Sequence, residues 1–70
     1  MKIGTRVKMS EEFKRKLRLN GCGDHVEEFG KCIGIVEGPA FEFHGPEVDV
    51  RWQPSNLRYA YDPENLLSVE

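Results

Sequence analysis

Residues 47–62 constrain the fold of this chain more than any other stretch. Val48, Val50 and Trp52 alternate with Asp49 and Arg51, and beyond Gln53-Pro-Ser-Asn56 the residues Leu57, Tyr59 and Tyr61 alternate with Arg58, Ala60 and Asp62. A period of two puts each set on one face of a strand. Folded back through residues 53–56 as a hairpin, Trp52 faces Leu57, Val50 faces Tyr59 and Val48 faces Tyr61, so every inward pair is apolar. A slip by one residue would turn that whole set to water, and this fixes the register. The same pairing sets Arg51 directly opposite Arg58 on the outer face, an unfavourable arrangement of like charges. Asp49, diagonal to Arg58, relieves part of the repulsion. The functional alternative is that two converging guanidinium groups hold a carboxylate or a phosphate from a partner. Arg51 and Arg58 are therefore candidate partner-binding residues.

The rest of the chain supplies strands and one helix. Residues 2–9 alternate, with Ile3, Val7 and Met9 on one side and Lys2, Arg6 and Lys8 on the other, as in a half-buried strand with a basic outer face. Ser10 is placed to cap a helix over about residues 11–19. Glu11 and Glu12 stand in its first turn, Phe13 and Leu17 four residues apart, and Asn20-Gly21 follows as its stop. Gly21, Gly23 and Gly30 make residues 20–31 a loop, anchored by Val26 and Phe29. Cys32-Ile-Gly-Ile-Val36 reads as a strand ended by Gly38-Pro39, with Gly34 marking a bend or a close backbone approach. Residues 40–46 form a connection. Asp62-Pro63-Glu64-Asn65 makes a tight turn before a last strand holding Leu66, Leu67 and Val69.

Seventy residues with 39% apolar and 31% charged side chains hold one small domain spanning residues 1–70, with a single compact core. No apolar run approaches the roughly 20 residues of a membrane span, and no signal-peptide core stands near the N-terminus, so the expected location is cytoplasmic with no membrane partner. Five short antiparallel strands in so short a chain imply a small closed or nearly closed barrel; the alternative is an open sheet with the helix across one face. The order Gly4-Thr-Arg-Val7, Gly34-Ile-Val36, Val48-Asp-Val-Arg-Trp52, Tyr59-Ala-Tyr61 and Pro63-Glu-Asn-Leu66 resembles SH3-like barrels, and within them the Mind-bomb-type and KOW-type domains. The likeness covers about half the chain. It implies a mainly β, five-stranded SH3-like barrel with one inserted helix, acting as a binding module for peptides, proteins or nucleic acids. The peptide-binding SH3 signature itself is absent, and a shared fold does not fix function.

Charge is placed unevenly. Residues 1–18 carry seven basic side chains against Glu11 and Glu12, a balance of +5, whereas residues 19–70 carry a balance of −7. Lys14, Arg15 and Arg18 share one side of the expected helix and, with Arg6 and Lys8 of the first strand, form a candidate nucleic-acid surface. Against that, Glu11 with Arg15 and Glu12 with Lys16 are i,i+4 pairs that an ordinary solvated helix carries. Phe41 and Phe43, flanking Glu42, are the other candidates: as exposed aromatics they would anchor a protein partner, and otherwise they cap the open end of the barrel.

Metal and catalysis find little to build on. Cys22, His25, Cys32 and His44 are zinc-ligand types, but their spacing matches no ordinary zinc-finger pattern, so no metal or other cofactor is expected. A disulfide between the two cysteines would need an oxidising compartment. No nucleophile motif surrounds Ser10, Ser55 or Ser68, and no glycine-rich loop leads from a strand into a helix. The expectation is a non-enzymatic module whose partner is a protein, with nucleic acid as the alternative. Its size also suits a small accessory or inhibitory protein of a bacterium or phage.

Overall fold

A computed structural model describes residues 2–39 and 47–69. In chain order the elements are β1 (Arg6–Met9), α1 (Glu11–Leu19), α2 (Gly23–Phe29), β2 (Gly34–Pro39), β3 (Val48–Trp52), β4 (Arg58–Tyr61), a 3₁₀ turn at Pro63–Asn65 and β5 (Leu66–Ser68). The strands form one antiparallel sheet in the order β4-β3-β2-β1-β5. Among the described residues β4 and β5 are not paired, so the sheet is not closed into a barrel. Two helices provide the second layer instead. Phe13 and Leu17 of α1 and Phe29 of α2 pack on the apolar sheet face and cover it.

The hairpin has the register its alternation requires. Val48 pairs with Tyr61, Val50 with Tyr59 and Arg51 with Arg58, and the Trp52 N–H donates to the Leu57 carbonyl at 2.9 Å. Val48, Val50, Trp52 and Tyr61 are buried. Leu57 and Tyr59 face inward but remain 44% and 42% exposed, because β4 is the sheet's edge and little covers it there. In β1, Val7 and Met9 are buried while Arg6 and Lys8 point to solvent. The strand is shorter than its alternation suggested. Residues 2–5 form a turn in which Thr5 donates through Oγ1 to the Lys2 carbonyl at 2.7 Å, and Ile3 is exposed.

The first helix follows its sequence signals. Ser10 Oγ accepts from the Phe13 N–H at 3.1 Å. At the other end Cys22 N–H donates to the Leu17 carbonyl at 2.8 Å and Gly21 N–H to the Arg18 carbonyl at 3.3 Å, the paired bonds that close a helix C-terminus. Residues 20–31 are a correction: they hold a second helix, α2, where glycines suggested a loop. Gly21 ends α1 and Gly30 ends α2, so the glycines punctuate two helices. Val26 and Phe29, three apart, turn the same side of α2 into the core.

The second strand runs over Gly34–Pro39, starting two residues later than its apolar run indicated and continuing through the Gly38-Pro39 expected to end it. A Cβ at Gly34 would meet Val50 Cγ1 and would lie 2.9 Å from Trp52 Cε3. The backbone of β2 thus lies directly on the side chains of β3, and only glycine leaves room. Between Val36 and Gly38 the pairing shifts: Val36 faces Val50 and Gly38 faces Asp49, leaving Glu37 as the extra residue of a β-bulge. Gly38 has φ +140°, a conformation side chains resist, and so the bulge is carried by glycine.

Candidate functional site

The sheet face turned away from the helices gathers basic side chains from three strands. Pairing runs from Arg6 to Ile35, from Ile35 to Arg51 and from Arg51 to Arg58, which sets three arginines in one cross-strand row. Lys8 stands two residues along β1 on the same face, opposite Leu67 of β5. Arg6 and Lys8 from one sequence candidate and Arg51 and Arg58 from the other therefore share a surface.

Glu37 answers the repulsion between Arg51 and Arg58. Arg51 Nε donates to Glu37 Oε2 at 2.8 Å, and Arg58 Nη1 lies 3.8 Å from Glu37 Oε1. Arg51 also donates through Nη1 to the Asn56 carbonyl at 2.8 Å, tying it into the β3–β4 turn. The hydrogen bond from Arg51, with the charges of both arginines, holds the Glu37 carboxyl below its ordinary value. Asp49, the partner expected from sequence, comes no closer to Arg58 than 4.0 Å. Arg51 is thus fixed at two points, while Arg58 is loosely held and 55% exposed. Arg6 and Lys8 have no ion pair among the described residues.

The basic side of α1 lies elsewhere, on the helical layer. Glu11 pairs with Lys14 at 3.2 Å rather than with Arg15, and Glu12 pairs with Lys16 at 3.5 Å. The exchange follows from α2. Lys14 is drawn into a cleft of about 390 Å³ between the helices, which Glu11, Arg18, Glu27 and Lys31 also line. Among the described residues Arg15 and Arg18 have no ion pair. Because α1 covers the apolar sheet face, Lys14, Arg15 and Arg18 do not join Arg6 and Lys8 in one continuous footprint. Phe41 and Phe43 lie outside the described residues.

The zinc-ligand types face different ways. Cys22 Sγ is 3.9 Å from the Asn20 carbonyl, Cys32 Sγ donates to the Glu28 carbonyl at 3.4 Å, and His25 Nε2 bonds Tyr61 Oη at 2.5 Å. His44 lies outside the described residues, among which no three His, Cys, Asp or Glu gather to hold a metal. The two cysteines flank α2 as free thiols, Cys22 exposed and Cys32 half-buried.

Sequence reasoning missed His25 and Tyr61 as a pair. Tyr61 Oη also accepts from Trp52 Nε1 at 2.9 Å, so a polar chain runs from the core to α2. Desolvation lowers the His25 pKa below its ordinary 6.5, against a smaller opposite effect of Glu28. The available signal was the pair Val26 and Phe29 at helical spacing around Asp24, His25, Glu27 and Glu28, which implies a helix turned toward the core. Comparison with protein families, with curated proteins and with solved structures finds no match to the chain.

Proposed function

We propose that this protein is a small non-enzymatic binding module of SH3-like type that takes an acidic segment of a partner protein on its outer sheet face. One observation carries this reading: the cross-strand row Arg6–Ile35–Arg51–Arg58, with Lys8 beside it, on a face that neither α1 nor α2 covers among the described residues. Arg6, Lys8 and Arg58 are exposed; Arg6 and Lys8 have no ion pair among the described residues, and Arg58 is held only at 3.8 Å by Glu37 and 4.0 Å by Asp49. Glu37 holds Arg51 in place as a fixed neighbour, and Ile35 supplies an apolar centre. Charge-assisted pairs of this kind orient a partner and raise its rate of encounter. The SH3-like assignment draws support from the β2-β3-β4 meander and from β1 lying between β2 and β5, which brings the first and last strands together.

A fluorescent acidic peptide and random single- and double-stranded oligonucleotides, titrated at low and raised salt, test this reading. The peptide is expected to bind, and Arg6→Thr with Arg58→Thr is expected to weaken it severalfold while leaving the thermal unfolding unchanged. Peptide affinity indifferent to those substitutions would remove the sheet face from consideration. Oligonucleotide binding that falls steeply with salt and requires Lys14 and Arg18 would instead support the nucleic-acid alternative.

A further inference from the structure

Proton counting fixes the direction of the chain formed by Trp52, Tyr61 and His25. The Trp52 indole nitrogen is a donor only, and it donates to Tyr61 Oη at 2.9 Å. The Tyr61 hydroxyl has one proton of its own, and its other partner is His25 Nε2 at 2.5 Å. The Tyr61 proton finds an acceptor in this pair only if it is donated to Nε2, an arrangement that requires Nε2 unprotonated and the proton of neutral His25 on Nδ1. Burial pushes the Tyr61 phenol above its ordinary value, so that proton stays in place across the neutral range.

Protonating His25 reverses one link. Nε2 becomes a donor, two donors then aim at one oxygen, and the Tyr61 proton loses its acceptor. Tyr61 is 6% exposed and Trp52 fully buried, so water does not readily make good the loss. Several groups face the ring. On α2 they are Glu28, whose charge favours protonation, and Phe29, with ring centroids 4.9 Å apart. On β4 they are Tyr59 at 5.0 Å and Tyr61 at 5.8 Å. Trp52 of β3 and Phe13 of α1 contact Tyr61 behind it and bring no charge.

The second helix is the element that depends on this bond. It has seven residues, begins with Gly23 and has no side-chain cap at Cys22. Helices this short do not persist on their own, so tertiary contacts must hold α2 in place. Those contacts are Val26 and Phe29, the packing of α2 on α1, and the His25 bond to the sheet, which is the only one of them that a proton can break.

We propose that the His25–Tyr61 bond is a proton-operated latch: it holds α2 on the sheet at neutral pH and releases it when the imidazole is protonated. The sign follows from linkage. Folded His25 binds a proton more weakly than unfolded His25, so the latch contributes fully above 6.5 and is lost as pH falls below that value toward the lower folded pKa. Release uncovers Trp52 and Tyr59 where Phe29 now stacks.

Amide hydrogen exchange of the whole chain, read by NMR at about pH 7 and about pH 5, tests the latch. Relative to the amides of β3, those of α2 are expected to lose protection by up to about tenfold per pH unit through the titration. His25→Gln, whose side-chain oxygen replaces Nε2 as acceptor, is expected to keep equal relative protection at both pH values. Protection of α2 that tracks β3 at both pH values, or an equal acid loss in His25→Gln, overturns the proposal. Imidazole nitrogen shifts of the unaltered chain give a check free of any variant. A proton on Nε2 at neutral pH would also overturn it.

Discussion

Trp52 concentrates several interactions in one side chain. It is fully buried, stacks on Phe29 at 5.8 Å, meets Tyr61 edge-on at 5.6 Å and donates its indole N–H to the Tyr61 hydroxyl. Trp52→Ala empties the centre of a small core and is expected to cost about 3–5 kcal/mol, read from urea denaturation. A variant of nearly unchanged stability would place Trp52 outside the core. Glu37→Gln tests the other singular residue. Without that carboxylate, Arg51 and Arg58 repel across the β3–β4 pair, and a small fall in melting temperature is expected, recovered when Arg58→Thr is added. The burial of Trp52 was legible in its strand, because alternation assigns the face. The partners of Glu37 and His25 were not. Those contacts join residues 14 and 36 positions apart, and local pattern says nothing about which distant side chain arrives.

Among the elements, β2 fits β3 most closely. At Gly34 an added methyl would press on Val50 and on the Trp52 ring, so Gly34→Ala is expected to cost about 1–3 kcal/mol by overpacking, read from thermal unfolding. No loss of stability would mean that the two strands can move apart without penalty. At α1, Ser10→Ala removes the acceptor of the Phe13 N–H and is expected to cost about 1 kcal/mol. These elements also divide by legibility. The first helix announces itself with a cap, acids in its first turn and a glycine stop, and the hairpin with two runs of strict alternation. The second helix signals itself more weakly: it has Asp24 in its first turn and Gly30 at its end, but it is seven residues long and has no side-chain cap at Cys22. Its helicity comes from burying Phe29 on the sheet and Val26 beside the first helix, a tertiary cause that leaves only a faint trace in sequence.

The whole molecule separates its basic groups. One set, Arg6, Lys8, Arg51 and Arg58, lies on the exposed sheet face; the other, Lys14, Arg15 and Arg18, lies on the helical layer with the core between them. Adjacency in sequence had joined Arg6 and Lys8 to α1, but the alternation of β1 sends them to the opposite side. Topology explains the barrel expectation in the same way. Strand count was legible, but whether an edge pair closes depends on what covers the apolar face, and here two helices do. Neither a chelator nor a reductant is expected to shift the melting temperature, because Cys22, Cys32 and His25 point to separate partners. A fall with chelator, together with one zinc bound per chain, would reverse that assignment.

The bulge in β2 makes Glu37 a spare letter in the spelling of the sheet. Val36 is matched to Val50, Gly38 to Asp49 and Pro39 to Val48, so the sequence of matches is complete without residue 37. Excising Glu37 would leave every one of those matches in step. The pairing of β2 with β3 would therefore survive a loss of one residue here, were it not for the two arginines whose repulsion the spare residue offsets. What retains it is the company Arg51 and Arg58 keep, and a lineage that lost one arginine would be free to lose Glu37 as well.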